Sequence, residues 1–202
     1  MNRLILIRHG ETLWNREFRL QGSSDVPLSE LGEDQAQRLA RSFTEKPAAI
    51  FVSPLARTQS FAAPLASRFG LKPKVMENLR EMSFGRFEGL RYEDMDDSLQ
   101  QAFKLWIEDP VKNTSPDGES IAALTARVRK AAEDICDSLE EGAVALAVTH
   151  GGVIRAIVAA LMDMPLIAVG RVQVYPGSLT ILDKVDGHWK LVRLNDTCYI
   201  DS

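Results

Sequence analysis

The residues best suited to chemistry come at the start of the chain, in Leu4 to Asn15, LILIRHGETLWN. Arg8 and His9 stand side by side after four apolar residues, followed by Gly10 and Glu11. A cation beside an imidazole suits an anion site with a nucleophile in it. The same residue types recur after two other apolar runs: Arg57 follows Ala48 to Val52, and His150 follows Ala143 to Val148. Phosphoryl transfer is the chemistry such a set favours, because it needs positioning and charge neutralisation more than covalent machinery. Two guanidiniums grip phosphate oxygens in a bidentate way that lysine does not reproduce. A neutral imidazole attacks phosphorus through one nitrogen if a backbone acceptor keeps the other protonated. The leaving alcohol needs a proton, so a carboxylic acid belongs across the site. Gly10 and Gly151, next to the two histidines, let backbone approach an anion closely.

Strands that end at one rim would bring these residues together. Leu4 to Ile7, Ala48 to Val52 and Ala143 to Val148 are short, continuous apolar runs, which fit strands buried on both faces. Open α/β sheets bind ligands at the carboxyl ends of such strands. Between them, Ser29 caps a helix with Ala36, Leu39, Ala40 and Phe43 on one face, stopped by Pro47. Ser53-Pro54 reads as a second helix start, with serine as cap and proline at the first helical position. Phe61, Leu65 and Phe69 follow along one face, and Gly70 ends that helix. Ile121, Leu124, Val128, Ala131, Ile135 and Leu139 mark a long amphipathic helix. The helix from Val153 points its free amides and positive dipole end at the rim.

The remaining segments are less regular. Glu11 to Pro27 reads as an irregular polar stretch, and Lys72 to Met76 as a short strand. Tyr92 to Asp109 holds a helix around Phe103, Leu105 and Trp106. Val172 to Leu182 and Trp189 to Leu194, joined through Asp186-Gly187, read as a terminal strand pair. Strands alternating with helices indicate a layered α/β domain with a largely parallel sheet. The whole chain, 1–202, is expected to be one domain, with 86–117 an insertion covering the sheet edge.

At 202 residues and 45% hydrophobic, the chain can bury one sizeable core. Its net charge of −4, without a basic block, argues against nucleic acid as the main partner. Cys136 and Cys198 are far apart and unaccompanied, so neither a disulfide framework nor a zinc site is indicated. The longest apolar stretch, Val153 to Met162, carries Arg155 and is too short to span a bilayer. The first residues lack the features of a secretory leader, so a cytoplasmic protein with no membrane partner is expected.

Arg8-His9-Gly10-Glu11-Thr12, with Asn15 and Gln21-Gly22, resembles the signature of the histidine phosphatase superfamily, also called phosphoglycerate-mutase-like. The likeness continues through Ser53-Pro54-Leu55-Ala56-Arg57, Leu79-Arg80-Glu81-Met82, Gly118-Glu119-Ser120 and Thr149-His150-Gly151-Gly152. It covers nearly the whole chain in order. The resemblance implies that His9 is the phosphorylated nucleophile and that Arg8, Arg57 and His150 form the phosphate pocket. It implies Asn15 as a further phosphate contact, Gln21-Gly22 as the loop beside the substrate, and Glu81 as proton donor and later base. Gly151 joins the phosphate contacts. No metal or organic cofactor is implied, and the partner is a small phosphorylated metabolite, with a homodimer left open. The implied fold is a three-layer α/β/α sandwich with a mostly parallel six-stranded sheet and one antiparallel edge strand.

Other readings compete at particular residues. His9-Gly10-Glu11 also fits the His-x-Glu of zinc deaminases, but that chemistry needs a downstream Pro-Cys-x-x-Cys, which this chain lacks. Arg57 alone would pass for a surface arginine, and Glu77 and Glu88 flank Glu81, so resemblance more than spacing selects Glu81. Phe84 and Phe87 are candidates to wall an aromatic-binding pocket, although core is the commoner fate of aromatics. A phosphatase is favoured over a mutase because the segment between the acid and the second histidine, and the tail, are short. A non-catalytic binding module is disfavoured because each expected catalytic position is filled. EMSFGRFEG, Trp106 with Asp109-Pro110, and Asp117-Gly118-Glu119-Ser120 most resemble the α-ribazole phosphatase branch of cobalamin biosynthesis. Broad-specificity, phosphoserine and sugar phosphatases of that branch read almost alike. Thr58, where alanine is commoner, and Asp117, where a second glycine is usual, depart from the pattern.

Overall fold

Alternation along the first strand sets up the layers. Leu4 and Leu6 face one side of the sheet and Ile5 and Ile7 the other, and all four are 0% exposed. A strand buried on both faces must be central, with helices on either side. The structure, a computed structural model, describes residues 1–199. Its strands are β1 (Asn2–Arg8), β2 (Ala49–Val52), β3 (Lys74–Val75), β4 (Val144–Thr149), β5 (Leu179–Val185) and β6 (His188–Asp196). They form one sheet in the order β3-β2-β4-β1-β5-β6. The pairs β3–β2, β2–β4 and β4–β1 are parallel, whereas β5 runs against both β1 and β6. The antiparallel pairing expected at one edge is therefore present, with β5 one place in and β6 outermost.

The helices are α1 (Leu13–Arg16), α2 (Glu30–Ser42), α3 (Ala56–Phe69), α4 (Asp97–Glu108), α5 (Ile121–Asp137) and α6 (Gly151–Leu161). Side chains of α2 and α3 pack on Ile5, Ile7, Ile50, Val52, Leu146 and Val148. Those of α5 and α6 pack on the opposite face, against Leu4, Leu6, Phe51, Ala145 and Ala147. This is the α/β/α sandwich. Each fully buried Leu, Ile or Val contributes about 1.5–3 kcal/mol. A third apolar cluster joins Phe87, Met95 and Leu99 to Leu20, Phe84, Phe103 and Trp106. It fastens the segment containing α4 to the loop after α1, where Leu20 and Gly89 to Leu90 exchange backbone hydrogen bonds.

Several local expectations need correction. α3 begins at Ala56, with Leu55 as an N-cap that makes no side-chain bond, so Ser53-Pro54 lies outside the helix. The Ser53 hydroxyl is already engaged by His150, at 2.7 Å from Nε2. Asp25 takes over instead, its Oδ1 accepting from the Ala56 amide at 2.9 Å. Thr58 donates its hydroxyl to the Ser53 and Leu55 carbonyls, which gives the departure at that position a local purpose. The segment Glu11 to Pro27 contains α1, closed by a capping box between Thr12 and Asn15. Finally, β5 starts at Leu179: the run from Val172 is loop, with Gly177 at φ +76° making the turn into the strand.

Candidate active site

Loops following β1, β2 and β4 meet at the carboxyl rim of the sheet and enclose a cavity of about 210 Å³. Arg8, His9, Asn15, Gln21, Gly22, Arg57, Glu81 and Gly151 all line it. His150 does not. Its ring lies fully buried behind His9, edge-on, with ring centroids 5.2 Å apart.

The hydrogen bonds of His9 fix its tautomer. Nδ1 lies 2.7 Å from the Gly10 carbonyl, which can only accept, so Nδ1 carries the proton. Arg57 donates from Nε to His9 Nε2 at 3.3 Å, so Nε2 is the lone-pair nitrogen. The two contacts agree on a neutral imidazole. Burial pushes the His9 pKa well below its ordinary value, and the charges of Arg57 and Arg8 push it further the same way.

Arg57 is itself buried, and its other nitrogens donate to Ser24 O at 2.6 Å and Gly22 O at 2.8 Å. Those carbonyls are held in turn by Glu88, whose carboxylate accepts from the Ser23 amide and the Ser23 and Ser24 hydroxyls. Burial alone would raise the Glu88 pKa, but hydrogen bonds from Ser24, Ser23 and Phe84 outweigh it and hold the group below its usual value. Arg8 lies against Gly151, where a Cβ would stand 3.3 Å from Nε, and donates to Val174 O at 2.6 Å. Burial lowers its pKa to about 10, against the raising influence of Glu81, so it remains charged near neutral pH.

Glu81 reaches across the rim from the loop before the third cluster. Its Oε1 accepts from the Met82 amide at 2.9 Å, and its Oε2 from the Gly152 amide at 3.1 Å, in the first turn of α6. Asn15 spends its Oδ1 on the Thr12 amide and hydroxyl, which leaves its NH2 group to offer the cavity. Gln21 donates to the same Thr12 hydroxyl at 2.8 Å. Three buried polar atoms here lack a protein partner: Arg8 Nε, Gln21 Oε1 and His150 Nδ1. Burial, with the charges of Arg57 and Arg8, lowers the His150 pKa, so that ring too is neutral. The Ser53 hydroxyl accepts from the Leu55 amide and pairs with His150 Nε2 at 2.7 Å, which holds the second imidazole in place.

Sequence reading missed Arg19, Leu20, Gly152, Arg155, Gln173 and Val174 in the cavity wall, and Ser53 behind it. Arg155 had a signal: it is the single charge in an otherwise apolar helix, one turn after Gly151. Gln173 and Val174 lie in an irregular loop and had none. Phe84 lines the cavity as anticipated, but Phe87 does not. It is 0% exposed and packs on Phe103 and Trp106, because its short helical turn points it into the third cluster.

A lone-pair imidazole nitrogen ringed by guanidiniums, on the carboxyl rim of an α/β sheet, defines a site for handling phosphate-like anions. Residues 4–197 match the model of the histidine phosphatase superfamily (branch 1), and the chain belongs to that superfamily, a phosphatase by class. Relatives include a Hydrogenobacter thermophilus protein named "Putative phosphoserine phosphatase 2", 34% identical over 98% of each chain. Another is the "Probable phosphoglycerate mutase GpmB" of Yersinia enterocolitica, 33% identical over 100% of this chain and 96% of its own. Among solved structures, Bacillus stearothermophilus YhfR superposes with a TM-score of 0.92 at 32% identity, covering 99% of this chain and all of its own. The α-ribazole phosphatase of Shigella flexneri gives 0.85 at 27% identity over 96% of each chain. Among the described residues no helix is long and apolar enough to cross a membrane.

Proposed function

We propose that this chain is a metal-independent phosphomonoester hydrolase that works through a phosphohistidine on His9. The observation that carries this reading is the fixed tautomer of His9, with Nδ1–H on the Gly10 carbonyl and the Nε2 lone pair toward the guanidinium of Arg57. The phosphoryl group seats between Arg8 and Arg57, where Arg8 Nε gains the partner it lacks, with His150 packed behind His9. Asn15, Gln21, Gly22 and Gly151 complete the wall around it. His9 Nε2 forms the new bond to phosphorus, and the ester P–O bond breaks. Glu81 gives its proton to the departing alcohol. Its carboxylate then takes a proton from water, the hydroxide attacks phosphorus, and the P–N bond breaks to return neutral His9 and phosphate.

The resemblance to the ribazole branch makes α-ribazole 5'-phosphate one candidate substrate, and the Hydrogenobacter relative adds phosphoserine. A mutase is the second reading, favoured by the likeness to the Yersinia protein. It would return the phosphoryl group to a second hydroxyl instead of water. The test is phosphate release in EDTA from α-ribazole phosphate, phosphoserine and 3-phosphoglycerate, wild type beside His9→Ala, with 3-phosphoglycerate also followed for isomerisation. Release that vanishes in His9→Ala is the expected result. Isomerisation without release would mean a mutase, and silence on every ester would overturn the reading.

A further inference from the structure

One loop, 172–178, holds Arg8 by its side chain, its carbonyl and its amide on the way into β5. The Val174 carbonyl accepts from Arg8 Nη1 at 2.6 Å. The Gly177 amide donates to the Arg8 and His9 carbonyls, each at 3.1 Å, and the Ser178 carbonyl accepts from the Arg8 amide at 3.1 Å. With Nη1 engaged by Val174, the buried Nε is left without a protein partner in the cavity wall. The place of the Val174 carbonyl therefore sets the place of the guanidinium.

Val172 and Val174 seat one end of this loop in the core, whereas the next residue, Tyr175, is 53% exposed. Its amide is held from the outermost strand: Asn195 Oδ1 accepts from it at 2.6 Å. An amide N–H can only donate, so it is the oxygen of Asn195 that faces Tyr175. Asn195 reaches that position because β6 is bulged. Leu179 pairs with Asp196 and Ile181 with Arg193, so Leu194 and Asn195 together oppose Thr180. At the bulge Asn195 takes φ +56°, a left-handed conformation that asparagine tolerates better than most residues, and its amide donates to the Thr180 hydroxyl at 3.3 Å. A bulge re-aims a side chain that regular pairing would direct elsewhere. Here it delivers one fixed acceptor to the residue that follows the one holding Arg8.

We propose that Asn195 is a positioning residue of the phosphate site: by holding the Tyr175 amide it sets the Val174 carbonyl, and through that carbonyl the Arg8 guanidinium, for the incoming anion. Asn195 does not line the cavity and acts only through the loop. This inference rests on the phosphatase reading above and extends the site to the bulge of the edge strand.

The test compares Asn195→Gly, which adopts the left-handed backbone without strain and removes the acceptor, with Asn195→Asp, which keeps an acceptor. Binding of inorganic phosphate by titration calorimetry is measured beside kcat/KM on p-nitrophenyl phosphate, with Tm as the check on folding. Asn195→Gly should weaken phosphate binding about three- to tenfold, the scale of one net hydrogen bond, and lower kcat/KM to match. Asn195→Asp should stay within about twofold of wild type in both, because the Tyr175 amide keeps its partner. Unchanged phosphate binding in Asn195→Gly, whatever its Tm, would make the bulge a purely structural feature and overturn the proposal. An equal loss in Asn195→Gly and Asn195→Asp would overturn it too. A wild type that hydrolyses no ester would instead overturn the phosphatase reading, and the calorimetric comparison would still decide the role of Asn195.

Discussion

Gly152→Ala isolates the proton transfer from the rest of the mechanism. A Cβ at residue 152 would stand 2.5 Å from Glu81 Oε1, against about 3.4 Å for ordinary contact, so the carboxyl must retreat by roughly 0.9 Å. Glu81 is the flexible partner, and the amide of residue 152 remains in place, so the helix survives. A misplacement of about 1 Å at a reacting group costs on the order of a hundredfold in rate, within the 10²–10⁴ range of general acid catalysis. The loss should appear with alkyl esters, whose alkoxide cannot leave without a proton. It should be small with p-nitrophenyl phosphate, whose leaving group departs as the stable phenolate. Steady-state kcat/KM on both esters, wild type beside Gly152→Ala, is the assay, because it reports the steps through P–O cleavage and not the later hydrolysis in which Glu81 serves as base. Equal losses on the two esters, or full alkyl-ester activity in the variant, would refute Glu81 as the acid.

Other expectations follow from the same geometry. His9 and His150 both have depressed pKa values in the fold, whereas the unfolded chain protonates them near pH 6.5. Below that pH the unfolded state binds more protons, so stability should fall as pH drops from about 6.5, and His9→Gln should flatten the slope of Tm between pH 7 and 5. An unchanged slope would show that His9 is not held neutral. Ser53→Ala strips His150 Nε2 of its partner in a fully buried place and should cost about 1–3 kcal/mol in denaturant unfolding. No loss there would mean that the hydroxyl contact is incidental. Phe87→Ala should destabilise the protein by about 3–5 kcal/mol, with no change in preference between aromatic and aliphatic esters, because Phe87 packs in the third cluster and not in the cavity. A selective loss on the aromatic ester would contradict that placement.

The sequence alone determined the sheet and most of the site. Continuous apolar runs such as Leu4 to Ile7 have one stable destination, a strand covered on both faces, and the polar residues that end them must emerge at the carboxyl rim. That logic placed Arg8, His9 and Arg57 together without coordinates, and the shared signature added Glu81, Asn15 and Gln21-Gly22. Tertiary structure decided what depends on partners distant in the chain. Ser53 looked like a helix cap because caps are recognised locally, yet a histidine 97 residues away competes for its hydroxyl. Glu88 was only one of the glutamates flanking Glu81, and its role shows where the loop at Ser23 and Ser24 closes on it. Phe84 and Phe87 are three residues apart with the same side chain, and only the turn between them sends one to the cavity and the other to the core. Arg155 reads as a lone charge in a greasy helix, and only the fold brings it to the cavity wall beside Arg8 and Arg57. Local patterns specify elements because they act over a few residues, whereas competition for a hydroxyl or a charge is settled only once the chain has folded.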